Sequence, residues 1–256
     1  MKKSDNTVLI TGGGTGIGLA LAEVLLREGN EVIICGRSKT TLDQAKKRFS
    51  KLHTIVADVS ALEGRAALKT EVENRFPKLN VLINNAGIYS MTTMMDSNYM
   101  ETLETELATN LVAPMALIQQ FMPVLGRQAN ALIVNVTTGY VFITSAQSSA
   151  YSASKAGLRA LTQSLRFQLR KTSIRVVEVI PPAVDTNMNK GKNISLITTE
   201  RFAQQVFKGL IGGKDEIVVG ISKIGKWLSR IAPEFSFKKM NLEEEKQRIE
   251  MNRKKF

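Results

Sequence analysis

The short apolar run Thr7-Val-Leu-Ile10 ends in a turn made largely of glycine, Thr11-Gly-Gly-Gly-Thr-Gly-Ile-Gly18. An apolar segment with helical spacing follows through Ile17, Leu19-Ala-Leu21 and Val24-Leu-Leu26, and Gly29 stops it. Glu31-Val-Ile-Ile-Cys35 then has the length and the β-branched character of a buried strand. Strand, glycine turn, helix and strand in so short a stretch leave few options. The two strands must run parallel, with the helix crossing over one face of their sheet.

The rest of the chain repeats that alternation. Strands are predicted at Thr54–Ala57, Val81–Asn84, Ala131–Val136, Ile174–Ile180 and Ile217–Val219. Helices are predicted from Leu62 to Phe76, where Pro77 ends them, and from Ala150 to Arg170. A longer apolar segment from about Met100 to Leu125 contains Pro114 and Pro123, which are expected to kink or terminate it. The pattern predicts an α/β fold, a single Rossmann-type doubly wound parallel sheet with helices on both faces. Residues 1–220 are expected to form a dinucleotide-binding catalytic domain, and 221–256 a basic C-terminal extension of it. A length of 256 residues suits one such domain.

Two features carry chemistry. At the end of a parallel strand, glycines let the backbone approach a pyrophosphate, and the helix N-terminus beyond offers free N–H groups. Tyr151 and Lys155 lie four residues apart within a predicted helix, so both side chains can reach one cleft. An ammonium beside a phenol favours the phenolate, so Lys155 is expected to lower the Tyr151 pKa and fit it for acid–base work.

Thr11 to Gly18, Asn84-Asn-Ala-Gly87 and Tyr151 to Lys155 reproduce T-G-x-x-x-G-x-G, N-N-A-G and Y-x-x-x-K in order. With them the chain resembles the short-chain dehydrogenase/reductase family over roughly its first three-quarters. The resemblance implies an oxidoreductase that interconverts a carbonyl and an alcohol by hydride transfer, with Tyr151 as general acid/base. It implies that Lys155 also holds the cofactor ribose. The family's serine, thirteen residues before the tyrosine, is replaced by Thr138, which keeps the hydroxyl and adds a methyl. Asn110 matches a helix asparagine that holds a water in the family's proton relay.

Cofactor contacts carry over in the same way. They fall on Gly12, Gly14, Thr15, Gly16, Ile17 and Gly18 in the turn, and on Asp58 and Val59 after the third strand. Asn85, Ala86 and Gly87 follow the fourth strand, and Pro181, Val184 and Thr186 follow the sixth. Pro182 replaces the family's glycine there and is expected to stiffen the loop. Residues 187 to about 200 are expected to form a mobile lid. Thr7 to Gly14, Asn30 to Ser38 and the Pro181-Pro182 pair are also similar to oxidoreductases of bacterial D-alanyl-lipoteichoic acid operons.

Charge bears on the choice of cofactor. NAD sites place an acid at the end of the second strand, against the ribose 2′-hydroxyl. This chain has Arg37 and Ser38 there, donors suited to a phosphate, and the expected cofactor is NADP(H). An NADP(H)-binding sensor or scaffold with little turnover is the alternative.

One cysteine, Cys35, excludes an internal disulfide and a cysteine-based metal cluster, and no metal is expected. His53, the only histidine, is expected at the surface. Met91, Met94, Met95 and Met100 are candidates for an apolar substrate pocket or for packing. Neither a leader peptide nor a run near the roughly 20 apolar residues of a membrane span is evident, and a cytoplasmic location is expected. The stripe Leu158, Leu161, Leu165 and Leu169 suggests a homodimer or homotetramer.

Net charge is +12. The segment Ile221–Ile231 alternates bases with apolar residues. It suits either a helix packed on the subunit, which is the favoured expectation, or peripheral contact with an anionic membrane or an acidic partner. Nucleic-acid binding has no motif to support it.

Overall fold

A computed structural model describes residues 1–189 and 195–253. Seven strands form one parallel sheet: β1 (Thr7–Thr11), β2 (Glu31–Gly36), β3 (His53–Val56), β4 (Leu79–Asn84), β5 (Ala131–Val136), β6 (Ile174–Ile180) and β7 (Glu216–Val218). Their order across the sheet is β3-β2-β1-β4-β5-β6-β7, and every pairing is parallel.

Successive strand residues point to opposite faces, and this divides the core in two. Val8, Ile10, Ile34 and Ile83 pack with α1 (Gly16–Arg27), α2 (Lys39–Arg48) and α7 (Thr199–Ile211). Leu9, Ile33, Leu82 and Ile133 pack with α3 (Leu62–Arg75) and α5 (Ala113–Leu125). Leu165 of α6 (Ser149–Gln168) lies against this second core. The doubly wound sheet expected from the alternation is therefore present. Cys35 is fully buried in β2, and burial pushes its thiol up to about 12, as suits a structural thiol.

Chain order reverses at β1, which pairs with β2 on one side and β4 on the other. Helices leave these strands on opposite faces, so a crevice opens beyond their C-terminal ends. The glycine turn follows β1 and Asn85-Ala-Gly87 follows β4, which brings both motifs to that crevice.

The segment with the two prolines does not break. It is one helix, Tyr99–Leu125, made of α4 (Tyr99–Leu107), a π-helical turn (Ala108–Val112) and α5. Pro114 has no N–H for the Asn110 carbonyl four residues back, and the wider π turn just before it absorbs that misfit. Pro123 falls in the last turn of α5. By length and composition this helix could cross a membrane, contrary to expectation. Its setting is that of a core helix, because Leu117, Ile118, Phe121 and Leu125 are buried against the sheet.

Other expectations also shift. His53 begins β3 half-buried, edge-on to Phe76 with ring centroids 4.8 Å apart, and burial lowers its pKa. Of the α6 stripe, Leu158 is fully buried and Leu165 and Leu169 pack on the core, while Leu161 stays exposed.

Buried polar contacts hold α6 in place. Asn84 Nδ2 donates to Asn135 Oδ1 at 2.8 Å, and Asn135 Nδ2 donates to Thr162 Oγ1 at 2.9 Å. Farther along, Arg159 bridges Glu178 at 2.7 Å and Glu216 at 2.9 Å. Glu178 is buried and also accepts from Thr137 Oγ1 at 2.8 Å. Removing one partner of such a pair leaves a buried charge unpaired and typically costs about 3–5 kcal/mol.

The last segment forms α8 (Ser222–Ile231) and α9 (Pro233–Arg253). Helix α9 is tied to the loop after β5. Tyr140 Oη donates to Glu244 Oε1 at 2.7 Å, and Ser145 Oγ bonds the other oxygen. Asn241 accepts from the Ala146 amide at 2.6 Å and donates to the Thr144 carbonyl at 3.0 Å. Arg248 reaches Gln147 at 2.8 Å and Asp96 at 3.1 Å.

Candidate active site

A cleft of about 780 Å³ runs from the glycine turn to α8 and α9. Backbone geometry shapes its floor. Gly12 has a φ of +63°, and a Cβ there would lie 2.8 Å from the Ala86 Cα. A Cβ on Gly18 would fall 2.4 Å from the Gly12 carbonyl oxygen. Both positions therefore require glycine. Asn85 locks the two loops together, donating to the carbonyls of Thr11 at 3.0 Å and Gly12 at 3.1 Å. Thr11 Oγ1 accepts in return from the amides of Asn85 and Ala86, each at 3.0 Å. Among the described residues no side chain caps the start of α1, which leaves its first N–H groups open to an anion.

The structure brings most of the proposed residues to this one cleft. Gly12, Thr15, Gly16, Ile17, Asn85, Ala86 and Gly87 line it, together with Thr138, Tyr151, Lys155, Pro181, Val184 and Thr186. The others lie outside its lining. Gly14 meets Thr41 of α2, Gly18 is buried beneath the turn, and Val59 is buried in the second core. Arg37, Ser38 and Asp58 stand at the far end, beyond β2 and β3.

That far end carries an exposed cation beside a helix cap. Arg37 is exposed and makes no hydrogen bond or ion pair with the described residues. Ser38 caps α2 by accepting from the Thr41 amide at 3.2 Å and the Thr41 hydroxyl at 2.9 Å, which leaves its own O–H to donate. Burial raises the Asp58 pKa. Two bonds from Ser60, helped by Arg37 and Arg65, outweigh it and hold the carboxyl below its ordinary range.

At the other end, Tyr151 and Lys155 project from α6 and are both buried. Lys155 Nζ donates to the Val136 carbonyl at 2.9 Å and lies 3.3 Å from where a Gly87 Cβ would be. Burial lowers its pKa to about 8, and the Glu106 carboxylate limits the fall. The expectation that Lys155 depresses the Tyr151 pKa is not met. Burial pushes the phenol up, with Glu106 and Tyr89 adding to the rise, and the Thr138 hydroxyl pulls it down. Lys155 is held toward Val136, and desolvation is the larger effect. Tyr151 is thus kept protonated at neutral pH.

Asn110 is fully buried behind Gly87. Its Oδ1 accepts from the Ile88 amide at 2.9 Å, and its Nδ2 donates to the Ile88 carbonyl at 2.9 Å and to Ser154 Oγ at 3.0 Å. The side chain clamps the loop after β4 onto α6. Its carbonyl is the one that Pro114 cannot bond.

Several site residues were not foreseen. Tyr89 and Tyr140 stand edge-on to Tyr151, with centroids at 5.1 and 6.2 Å. Glu106 is fully buried and accepts from the Ser90 amide at 2.6 Å on one oxygen, while the other has no hydrogen-bond partner among the described residues. Its spacing from Asn110, four residues along one helix face, was the available signal. The wall formed by Ile224, Leu228, Phe235 and Met240 comes from the C-terminal extension. The helical spacing of Asn241, Glu244 and Arg248 was the clue that this segment packs on the subunit. The four methionines do not line the cleft: Met94, Met95 and Met100 are exposed, and Met188 and Met240 take the expected role. Of the expected lid, residues 190–194 lie outside the described residues. Its flanks form a 3₁₀ turn at Asn187–Asn189 and a bridge between Val184 and Ile197. The loop with Pro182 is held through the Pro181 carbonyl, which accepts from the Gly139 amide and from Ser222 Oγ, each at 3.1 Å.

A parallel sheet with a glycine-floored crevice at its switch point, and a buried Tyr-Lys pair across from it, defines a dinucleotide-binding oxidoreductase. The sequence model of the family described as short chain dehydrogenase matches residues 6–196, and the chain belongs to that family. It is 43% identical over 226 residues to a Bacillus subtilis (strain 168) protein named uncharacterized oxidoreductase DltE, covering 85% of this chain and 89% of that one. A tropinone reductase homolog of Datura stramonium is 36% identical over 185 residues, covering 70% of this chain and 69% of its own. Among solved structures, a short chain dehydrogenase from Burkholderia cenocepacia J2315 in complex with NADP superposes with a TM-score of 0.83 at 25% identity. That match covers 93% of this chain and 99% of the other.

Proposed function

We propose that this chain is an NADP(H)-dependent oxidoreductase that interconverts a carbonyl and an alcohol, with Tyr151 as its general acid and base. The observation that carries the reading is the buried Tyr151, which shares with Thr138 the cleft that the glycine turn also lines. The cleft floor, which admits no Cβ at Gly12 or Gly18, and the free cation of Arg37 fit a phosphorylated dinucleotide. When bound, that cofactor supplies or accepts the hydride.

The protein's own groups handle the proton. In reduction Tyr151 Oη gives its proton to the carbonyl oxygen as that oxygen gains charge, and in oxidation it takes one from the alcohol. Thr138 Oγ1 bonds the same oxygen and orients it. Lys155, charged below its pKa, holds the ribose hydroxyls, and Asn110 keeps the loop after β4 against α6.

The deciding experiment is a panel of aldehydes, ketones and alcohols with both nicotinamide dinucleotides, followed at the nicotinamide absorbance. Turnover of at least one compound with NADP(H) is the expected result. Tight NADP(H) binding without turnover of any compound would replace this reading with the sensor.

The lowered Lys155 pKa predicts how binding depends on pH. Below about 8 the ammonium is present, and above it the charge is lost. NADPH affinity, read from its own fluorescence, is therefore expected to weaken as pH rises through that value. In Glu106→Gln the bend should move to lower pH, because the anion that favours the ammonium is gone. An affinity that is flat with pH in the wild type would refute the ribose role of Lys155.

Leu161 and Phe167 of α6 remain exposed and support the homo-oligomer expected from that helix. Sedimentation at micromolar concentration should give at least twice the 28.2 kDa subunit mass, and a monomer would overturn the assignment.

A further inference from the structure

Helix α8 is built inside out. Ile224, Trp227, Leu228 and Ile231 fall at i, i+3, i+4 and i+7, the spacing that ordinarily seats a helix on a core. Here the polar side faces the protein: Ser222 is buried and bonds the Pro181 carbonyl, and Lys226 pairs with Glu216. Leu228 is half-buried on the cleft wall, and the rest of the apolar side is left outside. Ile224 is 57% exposed, Trp227 63% and Ile231 61%, with Ile221 at 69% just before them and Phe235 at 63% just after. Single exposed apolar residues are ordinary, whereas a continuous stripe marks a docking surface. Lys223 and Arg230 are exposed on the same helix, and Lys238 and Lys239 on the next. Ile224 and Phe235 also line the cleft, so the stripe lies at its mouth.

We propose that α8 seats the mouth of the cleft on an anionic lipid bilayer, and that the substrate is an amphiphile with an apolar chain drawn from that phase. The docking stands on the α8 surface alone, while the substrate class also rests on the function proposed above. An apolar stripe flanked by bases is the pattern of a helix lying in a membrane interface, its hydrocarbon side sunk and its cations at the headgroups. A second copy of the chain fits the surface less well. A symmetric contact would set these same cations against one another and close the cleft. A bilayer offers the opposite charge and leaves the mouth open to the phase that holds the substrate.

Trp227 is the only tryptophan in the chain, so its emission reports on this surface directly. The full chain would be titrated with vesicles of phosphatidylcholine alone and of phosphatidylcholine with phosphatidylglycerol, read by tryptophan emission and by co-sedimentation. The expected result is a blue shift and binding at least roughly tenfold tighter to the anionic vesicles, as attraction to an anionic surface requires. Lys223→Glu with Arg230→Glu should abolish that preference, and Ile231→Ser should weaken binding to both vesicles. NADPH fluorescence on each variant checks that the fold survives. No shift and no sedimentation with either vesicle overturns the docking. So does a concentration-dependent rise in mass that Ile231→Ser removes, or a shift produced only by an acidic carrier protein. If vesicles bind but no carbonyl is turned over, the proposed chemistry fails while the docking stands. If turnover is found without vesicle binding, the docking fails alone.

Discussion

Replacing Tyr151 by Phe is expected to cut carbonyl reduction by roughly 10²–10⁴-fold, the range for losing a general acid, while NADP(H) binding survives. The ring stays edge-on to Tyr89 and Tyr140, and only the hydroxyl is lost. The effect should be large because burial keeps the phenol protonated and the proposed transfer runs through its hydroxyl alone. Tyr89 is the nearest rival, but its pKa is also raised by burial and its hydroxyl bonds Ser148 at 2.9 Å. Lys155→Ala should damage turnover and cofactor affinity together. Thr138→Ser should retain activity, and Thr138→Ala should lose part of it. The measurement is steady-state reduction of any active carbonyl, with cofactor affinity in parallel. Wild-type turnover by Tyr151→Phe would remove this tyrosine from the mechanism.

Arg37→Asp should reverse the cofactor preference. The wild type is expected to bind NADPH more tightly than NADH by about 1.5–3 kcal/mol, the contribution of a charged hydrogen bond, or roughly ten- to a hundredfold in Kd. Among the described residues the guanidinium makes no hydrogen bond or ion pair, so it breaks no such bond when it meets a phosphate. An aspartate at the same place would repel that phosphate and could accept from a ribose hydroxyl instead. The neighbouring Asp58 does not already play that part, because its carboxylate is held by Ser60. Equal affinities for the two cofactors, unchanged by the substitution, would show that Arg37 does not face the ribose.

Much of this was legible in the chain before any coordinates. The parallel sheet follows from strand, glycine turn, helix and strand at Thr7–Cys35, because a right-handed crossover leaves little else for such a segment to do. The Tyr151–Lys155 spacing shows a shared helix face, and the glycines mark where the backbone must approach closely. These are local or nearest-neighbour constraints, written in periodicity and residue type. What the side chains meet across the fold was not legible. Desolvation raises the Tyr151 pKa, and that depends on how deeply α6 is buried. The bond of the Ser90 amide to Glu106 and the hold of Glu244 on Tyr140 join residues distant in sequence. The amphipathic spacing of α8 was visible, but which of its faces points outward was settled by Ser222 finding Pro181 and Lys226 finding Glu216. Local sequence determined the elements and the motifs they carry. Burial and long-range pairing, which exist only once the chain has closed on itself, decided the charge state of the site, the wall of its cleft and the face it turns outward.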